Sequence, residues 1–368
     1  MKRERPLVLL NALKLHQGPN RLPTGNFQHV FHLADSLTER TEFNLRLLTD
    51  LDSHPPLCAK LSEELLIPTR LRGNSIWAAD RAVIEAIRRY QPQIYHRPTG
   101  QLPFSRLPCK SITGIADLNF MALPHPFIKR LYKEISYRWS VSRADRVICV
   151  SKYTCEYVHR KLRVPPSKLR VVYHGTNALV EPNFEYSKTI DGRFFLAFAH
   201  QAHKNAELCL RIFCQLKDQF KDVRLVLVGA NSFVDETLKP LSKLLNLGSV
   251  VRFVGAPSSA ELSALYRNAL GLLFPSRFEG FGLPILEAMG VGCPVISSNV
   301  CSLPEVAGDG ALQLCPDDLA GWINAVQRCI VDEHYRNYWA VAGRSRSTQF
   351  TWKKAAAETV AIYQELLA

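Results

Sequence analysis

The chain of 368 residues has no apolar run of the roughly 18 residues that a membrane-spanning helix needs. It also has no internal repeat and no low-complexity tract. A basic start and the apolar residues 7–10 resemble a signal peptide, but Asn11 ends the run and no small-residue cleavage site follows. We therefore expect a folded, cytoplasmic protein and interpret residues 7–10 as its first buried strand.

Metal and redox motifs are missing as well. No two of the ten cysteines have the two-residue gap of such motifs. Several, such as Cys149, lie inside apolar runs, which is typical of buried free thiols in a reducing compartment. No pair of carboxylates suggests a metal site, and no side chain stands out as an enzymic nucleophile. We expect neither a metal ion nor a cofactor.

Negative charge is scarce in the first half of the chain. Residues 1–180 contain 28 Lys and Arg against 14 Asp and Glu, whereas the remaining residues contain 18 against 19. This asymmetry indicates an anionic partner, such as nucleic acid, lipid headgroups or a phosphorylated acceptor. Because the sequence has no recognisable nucleic-acid-binding motif, we expect one of the other two.

Short apolar runs alternate with amphipathic stretches along the chain, without hairpin signals. This alternation predicts parallel sheets with right-handed helical crossovers. Turn-forming residues at 178–193 divide the chain into two α/β domains, at residues 1–185 and 190–350, each Rossmann-like and doubly wound. Residues 351–368 have strong helix propensity. The predicted strands cover residues 7–10, 45–48, 94–96, 147–150, 169–172, 194–198, 224–228, 250–254, 271–274 and 294–297.

Residues 274–290, FPSRFEGFGLPILEAMG, carry the strongest signal for a ligand site. They predict a strand end, a glycine-containing loop and a helix, which is where parallel α/β sheets bind ligands. Gly280 and Gly282 allow the backbone to approach a ligand. Glu279 and Glu287 can each accept two hydrogen bonds from neighbouring hydroxyls of a sugar or ribose.

This stretch resembles the retaining family-4 (group 1) glycosyltransferases of the GT-B fold. Residues 279–289 match their motif, EGFGLPxxEAM, completely, and further similarity covers about residues 100–365. The resemblance implies two domains that face a cleft, with the C-terminal helix packed back on the N-terminal, acceptor-binding domain. It also implies that a nucleotide-sugar donor, and no metal ion, serves the reaction. The end of the motif is similar to mannosyltransferases of surface-polysaccharide assembly, which favours GDP-mannose.

The resemblance assigns roles to the matched positions. Glu287 would bind the donor ribose, and Glu279 would bind hydroxyls of the donor sugar. Backbone groups of the glycine loop would meet the sugar and the distal phosphate, and the end of an adjacent strand would line the nucleobase. The positions in these last two groups are Gly280, Phe281, Gly282, Leu283, Val254 and Gly255.

A second site is predicted after the strand at 194–198. Lys204 precedes a helix there, as in the family, and can neutralise a diphosphate leaving group. The family's Gly-Arg at the strand end is replaced by Ala199-His200. If protonated, His200 or His203 would supply part of the missing positive charge.

A third site departs from the family. Many relatives have His-Asp after the corresponding strand, but Ala116 stands here in place of the histidine. Asp117 either orients an acceptor hydroxyl or caps the following helix. His96 or His125 either fills the place of the missing imidazole or is an ordinary core or surface residue. If that imidazole contacts the donor's 6-hydroxyl, Ala116 favours a 6-deoxy or pentose donor, in competition with GDP-mannose.

Two further segments leave alternatives open. Gly25 follows the first strand where relatives have paired glycines near the donor phosphate, and it either serves the donor or forms a plain turn. Residues 127–139, FIKRLYKEISYRW, predict a basic amphipathic helix. Its apolar face either packs on the sheet or lies on an anionic membrane surface.

Taken together, the patterns predict a retaining glycosyltransferase that transfers sugar to a glycan or lipid-linked acceptor, peripherally at the inner membrane. The alternatives are a nucleotide-sugar epimerase of the same fold and a non-enzymatic anion- or nucleic-acid-binding protein. The predicted catalytic residues are Lys204, Glu279, Asp117 and His200. The predicted donor-binding residues are Glu287, Gly280, Phe281, Gly282, Leu283, Val254, Gly255, His203 and Gly25.

Overall fold

The structure, a computed structural model, describes residues 5–13, 25–50, 63–69, 76–176, 190 and 192–368. Two compact units are present. The first comprises the described residues up to Gly175 together with Trp352–Ala368, and the second comprises Thr176–Thr351. Most of the border predicted at residues 178–193 lies outside the described residues. The helix predicted at 351–368 belongs to the first unit, as the resemblance implied.

The first unit is built on a parallel sheet of seven strands in the order β3-β2-β1-β4-β5-β6-β7. Its strands are β1 (Leu7–Asn11), β2 (Asn44–Asp50), β3 (Leu66–Thr69), β4 (Ile94–Arg97), β5 (Lys110–Ile115), β6 (Arg146–Cys149) and β7 (Leu169–Val171). Its helices are α1 (Gly25–Thr38), α2 (Ile76–Tyr90), α3 (Asn119–Ala122), α4 (Phe127–Arg143), α5 (Lys152–Leu162) and, at the end of the chain, α13 (Trp352–Leu367).

The second unit is built on a parallel sheet of six strands in the order β10-β9-β8-β11-β12-β13. Its strands are β8 (Arg193–Phe198), β9 (Val223–Val228), β10 (Val251–Val254), β11 (Gly271–Phe274), β12 (Val295–Ser298) and β13 (Leu312–Leu314). Its helices are α6 (Ala206–Leu216), α7 (Lys239–Leu244), α8 (Ser259–Asn268), α9 (Leu283–Gly290), α10 (Leu303–Ala307), α11 (Leu319–Val331) and α12 (Glu333–Ser347).

Both sheets have the strand order of a doubly wound fold, which confirms the predicted fold class. The order reverses between β1 and β4 in the first unit and between β8 and β11 in the second. Ligands of such sheets bind outside the carboxyl ends of the strands, at this reversal. The fold therefore places the loops after β8 and β11 side by side.

Burial on both faces explains the continuous apolar runs. On β1, Val8 and Leu10 join one core cluster with α1 and α13, while Leu9 joins the cluster on the opposite face. Parallel strands covered on both faces have no polar alternation. The C-terminal helix completes the first of these clusters with side chains that include Trp352, Val360 and Tyr363.

Three strands were absent from the predicted set. β3 is an edge strand that contains Pro68, a residue the edge of a sheet tolerates because it donates no hydrogen bond. β5 contains the buried polar residues Ser111 and Thr113, which interrupt its apolar pattern. β13 has only three residues, all half-buried.

The amphipathic helix predicted from residue 127 is α4. Its buried residues are Ser136, Ser140 and Val141, whereas its large apolar side chains are exposed. The expectation that this apolar face packs on the sheet is therefore wrong. No helix in the described part of the chain is long and apolar enough to cross a membrane.

Among the described histidines of the first unit, three are buried: His29, His96 and His174. The rings of His29 and His174 lie 4.2 Å apart, and His96 Nδ1 is 2.7 Å from the Tyr363 hydroxyl. Burial lowers the pKa of His29 and of His96 to about 3 and holds the pKa of His174 well below 6.5. All three are therefore neutral in the folded protein at neutral pH.

These histidines should make the fold sensitive to acid. In the unfolded chain each takes up a proton near pH 6.5, so their contribution to the free energy of unfolding is level above that pH. As the pH falls from 6.5 toward 3, His29 and His96 should each lower it by about 1.4 kcal/mol per pH unit, and His174 should lower it in the same direction. Urea titrations over this range should show that His29→Phe removes about 1.4 kcal/mol per pH unit from the slope. His125 is exposed, so His125→Gln is the control. An unchanged slope for His29→Phe would show that burial of His29 does not cause the acid sensitivity.

Candidate functional site

The loops after β8 and β11 meet at the strand reversal of the second unit. A 3-10 turn at Ala202–Lys204 follows β8, and residues 275–282 lead from β11 to α9. The His203 carbonyl accepts a hydrogen bond from the Arg277 N–H at 2.8 Å, which joins the two loops. The two segments that the sequence singled out separately therefore form one site.

A buried ion pair lies at the centre of this site. Lys204 Nζ is 2.6 Å from Glu279 Oε1, and the two side chains are 9% and 11% exposed. The Ser276 hydroxyl lies 2.7 Å from the same carboxylate oxygen. Lys204 Nζ also lies 4.9 Å from the centre of the Phe274 ring, within reach of a cation–π interaction. Both charges are thus held with little exposure to water.

Three buried serines support the loop that carries Glu279. Besides Ser276, the Ser302 hydroxyl lies 3.0 Å from the Glu279 carbonyl and 3.1 Å from that of Phe281. The Ser298 hydroxyl donates to the Ser276 carbonyl. Sequence reasoning missed all three, because a lone serine at a strand end carries no signal by itself.

Gly282 sets the entry to α9. Its φ is +103°, which favours glycine, and a Cβ there would lie 2.7 Å from Leu303 Cδ2, so that this side chain would have to shift. Gly282 caps α9 without a side-chain hydrogen bond. The positive end of the helix is therefore not satisfied by a capping side chain, and it can receive an anion. The predicted loop positions Gly280, Phe281 and Leu283 adjoin this end.

Glu287 lies one turn into α9 and has one protein partner among the described residues. The Tyr266 hydroxyl, on α8, donates to Glu287 Oε2 at 3.0 Å. Burial raises the pKa of Glu287, and this hydrogen bond opposes the rise. Tyr266 is fully buried and was not predicted, since nothing in its helix distinguishes it from a core tyrosine.

The two histidines beside Lys204 differ from expectation. Burial, followed by the nearby charge of Lys204, lowers the pKa of His200 to about 4. Burial also lowers the pKa of His203. These shifts argue against the idea that the two histidines add positive charge at neutral pH. His200 Nδ1 is buried and has no hydrogen-bond partner in the described part of the chain.

The residues predicted to line the nucleobase lie at the same edge of the sheet. Val254 ends β10, and its carbonyl accepts the Gly229 N–H at 2.9 Å. Gly255, which follows, is exposed. Their assignment to the base stays a prediction.

The other predicted residues belong to the first unit. Asp117 Oδ1 accepts the Asn119 N–H at 2.9 Å, a local contact just before α3, whose N-cap is Leu118 without a side-chain hydrogen bond. Its role toward an acceptor hydroxyl stays a prediction. Gly25 is the first residue of α1, and residues 14–24, which precede it, lie outside the described residues. The two roles predicted for Gly25 both stay predictions. His96 is a core residue bonded to Tyr363, and His125 is exposed.

Two doubly wound units, the second with a glutamate-bearing glycine loop at its strand reversal, match two glycosyltransferase family models. The family described as "Glycosyl transferases group 1" matches residues 185–346, and "Glycosyltransferase Family 4" matches residues 24–178. The chain belongs to these glycosyltransferases, and it is an enzyme of that kind.

Individual relatives agree with this assignment. The chain is 29% identical to O-antigen chain mannosyltransferase B of Escherichia coli, over 76% of each chain. It is 30% identical to O-antigen chain mannosyltransferase RfbU of Salmonella typhimurium, over 58% of this chain and 59% of that protein. Among solved structures, sucrose-phosphate synthase from Thermosynechococcus elongatus superposes with a TM-score of 0.79 at 20% identity, over 99% of both chains, which supports the fold.

The buried ion pair should be strongly coupled. Removing one partner leaves the other charged, buried and unpaired. The Lys204→Ala/Glu279→Ala double variant should therefore be destabilised by less than the sum of the two single variants. We expect a coupling energy of about 2 kcal/mol in urea denaturation. The exposed pair Lys239–Asp235, 2.7 Å apart, is the matched control and should give about 0.3 kcal/mol. Equal coupling in both pairs would show that burial of the first adds nothing.

Proposed function

We propose that the enzyme transfers a hexose from a nucleotide-diphosphate sugar, with retention of configuration, to a hydroxyl of a glycan or lipid-linked acceptor. The observation that carries the proposal is the Lys204–Glu279 pair, 2.6 Å apart and nearly buried, at the reversal of a doubly wound sheet. Lys204 can bind a diphosphate, and Glu279 can accept hydrogen bonds from sugar hydroxyls. The two together suit a donor that contains both a diphosphate and a sugar.

Each group has a separate task. Lys204 and the positive end of α9 would stabilise the negative charge that grows on the diphosphate as it departs. Glu279 would accept hydrogen bonds from the donor sugar, and Glu287 from the ribose. His200, with an unpaired and buried Nδ1, is available to a donor oxygen. Because protein contacts already hold Lys204 and Glu279, the cost of ordering these two side chains on binding is small.

Retention is proposed from the resemblance of residues 279–289 to a retaining family. The described site adds that its carboxylates are already engaged, which argues against a covalent intermediate on the enzyme. Glu279 is held by Lys204 and Ser276, and Asp117 is engaged at the start of α3. We therefore propose that the acceptor hydroxyl attacks the anomeric carbon on the face from which the diphosphate leaves. The protein would contribute positioning and charge stabilisation. It would need no metal ion, because Lys204 and the helix end supply the positive charge.

The named relatives support mannose as the sugar and surface polysaccharide as the product. Both are described as O-antigen chain mannosyltransferases. GDP-mannose is therefore our first donor. Ala116 supports the competing donor, a sugar nucleotide without a 6-hydroxyl, if the family's missing histidine serves that group. The excess of positive charge in residues 1–180 supports two further proposals. The first unit would bind the acceptor, and the enzyme would lie peripherally on an anionic inner membrane surface.

Turnover measurements test the proposed transfer. With a lipid-linked glycan acceptor, GDP-mannose should be consumed without added metal and in the presence of a chelator. GDP-rhamnose, which differs at carbon 6, is the competing donor. Lys204→Ala should lower kcat by at least about tenfold and change KM for the donor less, since negative charge on the diphosphate is greater in the transition state than in the bound donor. Lys239→Ala is the control.

Three outcomes would contradict parts of the proposal. If NMR shows that the product has the inverted anomeric configuration, the proposal of retention is wrong. Turnover of the nucleotide sugar without any acceptor would favour an epimerase. A raised KM with unchanged kcat in Lys204→Ala would show that Lys204 binds the ground state and transition state equally.

Donor binding tests the role of Glu287. Glu287→Gln should weaken GDP binding by roughly ten- to a hundredfold, because a charged acceptor on the ribose contributes about 1.5–3 kcal/mol. Tyr266→Phe removes the hydrogen bond that opposes the raised pKa of Glu287. Binding in that variant should therefore fail at a higher pH than in the wild type. Titration calorimetry across the acid range measures both effects, and affinity within about twofold of wild type for Glu287→Gln would disprove the ribose role.

A further inference from the structure

The exposed apolar surface of the described residues is concentrated on one helix. Eleven large hydrophobic side chains are exposed in that part of the chain, and six of them belong to α4. Phe127 and Ile128 are 76% and 81% exposed, and Ile135 is 57% exposed. The other three on this helix are Leu131, Tyr132 and Trp139. Single exposed apolar residues need no explanation, but a contiguous patch indicates a binding surface.

The helix is attached to its unit by its small side chains. Ser136 and Ser140 are buried, one turn apart, and the Ser140 hydroxyl accepts the Leu102 N–H at 2.9 Å. Tyr137 stacks on Phe120 with ring centres 5.4 Å apart. The large apolar residues are therefore not required to hold α4 in place, and their exposure is a property of the folded protein.

The six exposed residues share one face. At 100° per residue they fall within an arc of about 140° around the helix axis, with no charged side chain but Arg138 inside it. Arg138 is engaged with Glu134 at 2.9 Å and with the Lys161 carbonyl. The face, which we call the α4 surface, comprises Phe127, Ile128, Leu131, Tyr132, Ile135 and Trp139.

Basic side chains border the α4 surface. The helix contains five Lys and Arg residues and one acid, Glu134, which is paired. Lys129, Arg130 and Arg143 are exposed. The guanidinium of Arg143 lies 5.0 Å from the Trp139 ring, at the edge of the apolar face. This arrangement complements a surface that is apolar inside and negative outside.

We propose that the α4 surface docks on an anionic lipid bilayer, with α4 lying in the plane of the headgroups. Helices with an apolar aromatic face and a basic border bind in this way. Tyr132 and Trp139 have an apolar ring with a polar atom, which suits the boundary between headgroups and acyl chains. A second copy of the chain is disfavoured, because two α4 surfaces would bring two basic borders together. The inference deepens, and rests on, the peripheral membrane position proposed above.

Flotation of the full chain with vesicles tests the inference. The wild type should bind vesicles of phosphatidylcholine with phosphatidylglycerol much more strongly than phosphatidylcholine alone. The apolar variant Phe127→Ser/Ile128→Ser/Ile135→Ser should lower the partition coefficient by at least about tenfold. The charge variant Lys129→Gln/Arg130→Gln/Arg143→Gln should remove the preference for phosphatidylglycerol and the dependence on salt.

A matched control comes from the second unit. Tyr338 and Val341 on α12 are 62% and 69% exposed, so Tyr338→Ser/Val341→Ser removes comparable apolar surface elsewhere. It should bind vesicles as the wild type does. Tryptophan fluorescence should shift to the blue on anionic vesicles, and Trp139→Phe should reduce the shift.

The outcomes distinguish this inference from its rivals. No binding of the wild type to anionic vesicles, or equal loss in the control variant, would overturn it. Self-association of the wild type that the apolar variant abolishes, without vesicle binding, would show a contact between copies instead. GDP binding by each variant, measured without lipid, reports on the donor site separately. The proposal of vesicle docking can therefore fail while the proposal of sugar transfer stands. Sugar transfer can likewise fail while docking stands.

Discussion

The second unit depends on keeping one lysine and one glutamate charged in a place with little water. Removing two such charges from solvent costs more than their attraction returns unless further partners are present. The structure provides those partners: Ser276 donates to Glu279, and the Phe274 ring lies next to Lys204. The pair is therefore poor evidence for stability and good evidence for a site that is ordered before its ligand arrives. A substrate that brings its own negative charge to Lys204 makes use of that order.

The rest of the unit can be understood as support for this pair. The strand reversal brings the ends of β8 and β11 together, and the backbone bond from Arg277 to His203 joins their loops. Ser302 ties the loop of Glu279 at two carbonyls, and Gly282 allows the turn into α9. These contacts are buried and short, so a ligand meets groups whose positions are fixed. Fixed dipoles stabilise a developing charge more effectively than groups that must first reorient.

The sequence predicted the fold well for a physical reason. Strands buried on both faces are apolar throughout, and their alternation with helices leaves few topologies. Failures occurred where the local pattern was weak, as in β5 with its buried Ser111 and Thr113. At the candidate site, Glu279 and Glu287 were predicted because they lie in one motif. Tyr266 was not, because its partner is 21 residues away and only the packing of α8 on α9 brings them together. The charge state of His200 also depended on burial, which a strand end does not reveal.

Helix α4 shows that the residues opposite an apolar stripe can decide whether the stripe is buried or exposed. An apolar stripe with basic neighbours is compatible with packing on a sheet and with binding to a membrane, and the stripe itself cannot separate the two. The separating feature is Ser136 and Ser140, four residues apart on the opposite side. Two small residues at that spacing allow close approach to the sheet, so this side can be the one that packs. Once it does, the larger residues must face outward. A helix whose small residues form a stripe opposite its large ones therefore predicts an exposed apolar face, whereas a core helix places its large residues inward.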